Sequence, residues 1–122
     1  ALLPAQGMHR ATGATHAAVF ADRTGAPVLM REDVGRHNAV DKLVGAMLRA
    51  DVDPADGFAY LSSRCALELV AKLARAGVRI VATVSAPTSA VLDFAEREGV
   101  ALCAFARDGR FTVYAHPELI AL

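Results

Sequence analysis

Val78-Arg79-Ile80-Val81-Ala82-Thr83-Val84 is a nearly continuous β-branched run, the pattern of an interior strand covered on both faces. The chain around it supplies the cover by alternation. Apolar runs at 16–20 and 27–30 flank a connection whose Asp22 and Gly25 suit a turn, so the pair reads as a hairpin. From 36 to 49, Val40, Leu43, Val44, Met47 and Leu48 recur at helical spacing and predict a first helix. Residues 51–57 carry Asp, Pro and Gly, stop that helix and deliver a strand at 58–61. A second helix is expected from about 65 to 76, burying Leu67, Leu69, Val70 and Leu73, with Glu68 and Lys72 as a surface pair and Gly77 as its stop. A third, from about 89 to 98, ends near Gly99 and hands over to a strand at 100–106; residues 107–110 turn into a last strand at 111–115. The order β-β-α-β-α-β-α-β-β is that of a three-layer α/β/α domain with a mixed sheet.

With 122 residues, 54% of them hydrophobic and 21% charged, the chain has enough apolar material for one compact core. Lys+Arg and Asp+Glu each number 13, so no global field draws the chain to nucleic acid or membrane, and any anion site must be local. Two cysteines, Cys65 and Cys103, make no disulfide framework and fit a reducing cytosol. The longest apolar stretches are of strand length, short of the roughly 20 residues of a membrane span. Residues 1–11 have no clear periodicity and read as a linker or trimmed edge, leaving 12–122 as the domain.

The polar residues are concentrated. Between the second strand and the first helix stands Arg31-Glu32-Asp33-Val34-Gly35-Arg36-His37-Asn38-Ala39-Val40-Asp41-Lys42, with seven ionisable side chains. In open α/β sheets the ligand crevice lies beyond the carboxyl ends of the strands, where helix N-termini present unpaired N–H groups. Asp33 to His37, Ser62 to Arg64 and Ser85 to Ser89 each follow a strand and open a helix, so three loops are expected on one rim. Hydroxyls, backbone donors and two arginines suit phosphate.

Each feature also has a structural explanation. The charged block is equally a solvated ion-pair cluster with Asp33 or Asn38 capping the helix. Ser62, Ser63, Thr88 and Ser89 are each consistent with simple caps. Cys65 at a helix start suits a nucleophile or a small buried residue; Cys103, in an apolar strand, is core. The loop positions invite a zinc-deaminase site, but Ala39 stands where its Glu is needed and Glu68 where its second Cys is needed.

Thr12 to Ala18, Arg31 to Leu43, Ser62-Ser63-Arg64, Val84 to Ser89 and Phe105 to Pro117 resemble the formate dehydrogenase accessory sulfur carrier family, FdhD. The most specific pieces are the Arg31–Lys42 block and Ser85-Ala86-Pro87-Thr88-Ser89, in order on matching elements. The resemblance implies a cytoplasmic protein that takes persulfide sulfur from a cysteine desulfurase. It passes that sulfur to the bis(molybdopterin guanine dinucleotide) molybdenum cofactor of formate dehydrogenase. It further implies a cytidine-deaminase-like domain that binds the guanine dinucleotide part, for which GDP is a surrogate ligand. The family's sulfur-carrying Cys-x-x-Cys lies N-terminal to the matched region and is not in this sequence, so the chain reads as the C-terminal, cofactor-binding part of such a protein. No catalytic residue and no metal ligand is assigned to it.

Residue by residue, Phe105-Ala106-Arg107-Asp108-Gly109-Arg110 matches the family's cofactor-holding loop. Its arginines flank a Gly turn, where backbone N–H groups and guanidinium forks can meet phosphate. Gly35, Arg36, His37, Ser63, Arg64, Ser85 and Thr88 complete the expected cofactor-binding set. A sheet edge leaves room for a homodimer. Two other functions stay open: a stand-alone guanine-nucleotide-binding or regulatory module, and a deaminase-fold enzyme with an unrecognised nucleophile.

Overall fold

A computed structural model describes residues 16–22, 24–62, 66–84, 86–105 and 111–116. The elements are β1 (His16–Asp22), β2 (Pro27–Asp33), α1 (Arg36–Arg49), a 3₁₀ turn (Pro54–Asp56), β3 (Gly57–Leu61), α2 (Leu67–Arg75), β4 (Ile80–Thr83), α3 (Ser89–Glu98), β5 (Ala101–Phe105) and β6 (Phe111–Ala115). They build one mixed sheet in the order β2-β1-β3-β4-β5-β6. β1 is antiparallel to both neighbours, β3, β4 and β5 are parallel, and β6 returns antiparallel to β5.

Alternation along the strands divides the sheet into two apolar faces. On the first, Ala18 and Phe20 of β1, Ala59 and Leu61 of β3, Val81 of β4 and Leu102 of β5 pack with all three helices. α1 contributes Ala39, Val40, Leu43 and Met47; α2 contributes Leu69, Val70 and Leu73; α3 contributes Val91 and Ala95. Each fully buried Leu or Val removes enough apolar surface from water to favour folding by roughly 1.5–3 kcal/mol. On the second face, Ala17, Val19, Tyr60, Ala82 and Cys103 form a separate buried cluster. Val81 and Ala82 are thus buried on opposite sides of one strand, as the apolar run of β4 requires.

Three of the sequence expectations need correction. Among the described residues the helices form one layer, where helices on both faces were expected: no helix residue belongs to the second cluster. The connections β2-α1-β3, β3-α2-β4 and β4-α3-β5 all step the same way along the sheet, and crossovers of one hand then place every helix on the same face. Leu48 and Leu67, expected in the core, are 77% and 37% exposed. Leu48 lies off the stripe that α1 turns inward, and Leu67 is the first residue of α2, before the helix has reached the sheet. Lys72 pairs with Asp41 of α1 at 3.0 Å, where Glu68 had been expected as its partner. Glu68 instead lies 3.7 Å from His37.

Local chemistry fixes the joints. Asp22 closes the hairpin by accepting from the Thr24 hydroxyl (2.6 Å) and from the N–H groups of Thr24 and Ala26. Gly57 opens β3 opposite Asp22, where a Cβ would run into the carbonyl oxygen of Ala21. Gly99 ends α3 in the left-handed region, at φ 70°, its N–H donating to Ala95 O.

Candidate functional site

The pairing registers set which loops meet. Leu61 ends β3 beside Thr83, which ends β4 and lies beside Ala104 in β5. On the other flank Ala18 faces Leu61, and His16 at the start of β1 faces Asp33 at the end of β2. The carboxyl ends of β2, β3, β4 and β5 therefore lie along one end of the sheet. This is the end at which open α/β sheets hold ligands.

Of the expected binding residues, Gly35, Arg36, His37 and Thr88 are described, together with Phe105 as the last residue of β5. Ser63, Arg64, Ser85, Ala106, Arg107, Asp108, Gly109 and Arg110 lie outside the described residues, as does Cys65.

The β2–α1 junction carries the most geometry. β2 runs through Arg31, Glu32 and Asp33, three residues beyond the end of its apolar pattern, so the first part of the charged block is strand. Asp33 Oδ1 accepts from Gly35 N–H at 2.9 Å and from Asn38 Nδ2 at 3.4 Å, while Oδ2 pairs with Lys42 Nζ at 2.7 Å. Lys42 also donates to Glu32 O at 3.3 Å. The Lys42 ammonium first, then the Gly35 N–H and the Asn38 amide, hold the Asp33 carboxyl down to about 2. Gly35 is the N-cap of α1 in an extended conformation; no side chain caps that helix and no acidic residue occupies its first turn. Asp33 therefore braces the turn and leaves the helix end itself uncapped, and Asn38 serves Asp33 rather than the cap.

Arg36 and His37 follow at the first helical positions. Arg36 is exposed and, among the described residues, has neither a hydrogen bond nor an ion pair, whereas His37 is the residue that approaches Glu68. An unpaired guanidinium beside an uncapped helix N-terminus attracts an anion through both charge and N–H donors. Thr88 has a different role: its hydroxyl accepts from Val91 N–H at 3.4 Å and caps α3. Ser62 is likewise committed, its Oγ accepting from Ala17 N–H at 2.8 Å and so extending the β1–β3 pairing past the end of β3. The Asp33–Lys42 pair was not legible from pattern, which offered Asp33 only as a candidate helix cap. The available signal was an Asp two residues ahead of a Gly at a strand-to-helix turn.

Cys103 is the one cysteine among the described residues. Cys103 is 7% exposed within the second cluster, and burial pushes its thiol up to about 11. Burial also raises the Tyr60 hydroxyl to about 12. No group of three metal-ligating side chains is assembled, and no helix is long and apolar enough to cross a membrane, again among the described residues.

Known proteins resemble this chain in sequence and fold. A sulfur carrier protein FdhD of Bordetella petrii is 49% identical over 122 residues, covering all of this chain and 44% of the relative. That of Bordetella parapertussis is 52% identical over 116 residues, 95% of this chain and 42% of the relative. The chain thus spans less than half the length of these curated relatives. A crystal structure of a formate dehydrogenase accessory protein from Desulfotalea psychrophila superposes with a TM-score of 0.82 at 33% identity, covering 98% of this chain and 53% of that one. The FdhD/NarQ family model matches residues 1–121, and the chain belongs to that family.

Proposed function

We propose that this chain is the cofactor-binding part of a sulfur carrier that matures formate dehydrogenase. In that role it holds the guanine dinucleotide end of the bis(molybdopterin guanine dinucleotide) molybdenum cofactor. Persulfide sulfur donated by a cysteine desulfurase is then passed to that cofactor, and formate dehydrogenase receives it. The cofactor, when bound, supplies the metal centre that accepts sulfur; the residues of this chain bind and orient its phosphate-bearing end. The observation that carries this function is the end of the sheet where four strands finish, with Arg36 unpaired there beside an α1 N-terminus that no side chain caps. That donor set fits an anion of diphosphate type. Gly35 permits close approach, Arg36 and His37 open the helix, and Arg107 and Arg110 belong to the loop that follows β5. The fold is read as cytidine-deaminase-like, and the protein as cytoplasmic. β2 and β6, each with one strand neighbour among the described residues, leave edges for a homodimer.

Calorimetric titration with GDP tests the binding function. Saturable binding is expected, with about a tenfold loss for Arg36→Ala and a comparable loss for Arg107→Ala combined with Arg110→Ala. Absence of saturable binding, or binding that both variants leave unchanged, overturns it. The sulfur-transfer function has its own test in the full-length gene. A Cys-x-x-Cys upstream of these residues supports it, and its absence selects a stand-alone nucleotide-binding module.

A further inference from the structure

Most charged side chains of the block at the β2–α1 junction already have a partner. Arg31 donates to its neighbour's carbonyl, Met30 O, at 2.7 Å; Asp41 pairs with Lys72; His37 faces Glu68; and Asp33 holds Lys42. Arg36 is the block's cation left without a partner among the described residues, although Asp33, a carboxylate, stands only three positions before it. Lys42 holds that carboxylate instead. Its ammonium reaches back from the second turn of α1 to Asp33 Oδ2 at 2.7 Å, and the other carboxylate oxygen is taken by Gly35 N–H and the Asn38 amide.

We propose that Lys42 and Asp33 are positioning residues for the rim: Lys42 occupies the Asp33 carboxylate so that Arg36 stays free for the phosphates of a nucleotide diphosphate. Neither residue touches the ligand in this scheme. An unoccupied carboxylate at the end of β2 would be the nearest anion in sequence to Arg36 and would compete with phosphate for the same guanidinium. The brace has a second effect, because the Gly35 N–H that Asp33 accepts fixes the turn from which α1 starts. The polar residues at 33, 38 and 42 thus set the charge balance of the rim without belonging to its binding surface.

This inference rests on the nucleotide-rim function, and the test separates the two. GDP affinity is measured by calorimetry for the wild type, Lys42→Met, Arg36→Ala and the double variant, each with its thermal melting midpoint. Lys42 is half exposed, so Lys42→Met should stay folded. Lys42→Met is expected to weaken GDP binding about tenfold in the wild-type background and less than about twofold in the Arg36→Ala background. Adding Asp33→Asn to Lys42→Met is expected to restore affinity to within about threefold, because the amide keeps an acceptor for Gly35 N–H but no longer carries the charge that captures Arg36. Equal losses in both backgrounds overturn the inference, since they would mean that Lys42 acts through its general field alone. Failure of Asp33→Asn to restore binding, or an unchanged affinity in Lys42→Met, also overturns it. A wild type that does not bind GDP overturns the rim function itself and this inference with it.

Discussion

At Asp33 one carboxylate joins the end of a strand, a turn and the second turn of a helix, and its ionisation contributes to holding them together. The folded protein keeps this carboxyl at about 2 against an ordinary 3.8, so the charged form is favoured on folding. For a depressed carboxyl the stabilisation is fully present above the unfolded value and is lost as pH falls through the folded one. Asp33→Asn should therefore lower stability relative to the wild type by a constant amount from pH 5 to 7. The difference should shrink progressively below about pH 5, be largely lost at pH 2, and vanish only near pH 1, below both values. Denaturant midpoints of both proteins across that range check it, and a difference that persists undiminished at pH 2 would assign the effect to the hydrogen bonds alone. How much of this was legible follows from distance along the chain. Asp33 two residues before Gly35 is a local signal and was weighed as a cap. Its pairing with Lys42, and Asp41 with Lys72, depends on how α1 lies on β2 and α2, which no spacing states. The Glu68–Lys72 expectation failed for the same reason: on a helix surface the right spacing permits a pair, but a neighbouring helix offers Lys72 a better partner.

Among the elements, α1 and α3 were read with the bounds the structure gives, because their apolar stripes are long and their stops are chemical. β2 was read short, since Arg31, Glu32 and Asp33 look like loop; on the outer strand of a sheet, polar side chains are tolerated while the backbone goes on pairing with β1. The helix-ending glycines make a contrast that tests how these joints work. Gly99 and Gly77 both sit at positive φ, 70° and 99°. A Cβ at Gly99 meets nothing within 4 Å, whereas one at Gly77 comes within 2.9 Å of Pro54 Cγ in the 3₁₀ turn that leads into β3. Gly99→Ala should cost about 1 kcal/mol, from the left-handed conformation alone. Gly77→Ala should cost about 1–3 kcal/mol more, because it also displaces the 3₁₀ turn. Equal losses in urea denaturation would mean that Pro54 yields freely and that the contact does not couple α2 to β3.

For the whole molecule, the common end at which β2, β3, β4 and β5 finish was legible because strands and helices alternate in the sequence. The side of the sheet each helix takes was not. An apolar stripe states that a helix is buried, not on which face, and strands apolar on both sides suggested helices on both. The structure puts α1, α2 and α3 together on the first face, yet Ala17, Val19, Tyr60 and Ala82 on the second are no more than 3% exposed. Cys103 belongs to that second cluster, in the strand whose end leads to the rim, and its thiol reports on the whole face. Raised by burial from 9.0 to about 11, it holds about a hundredfold less thiolate at neutral pH than an open cysteine, before access is counted. With Cys65→Ser removing the other thiol, alkylation by iodoacetamide should be negligible in the native protein and complete in denaturant. Its rate at intermediate denaturant should follow the opening of the sheet. Native labelling as fast as in the unfolded chain would mean that the second face stands open in solution. The sheet would then present a helix-covered side and a bare one, and the rim between them would be accessible from both.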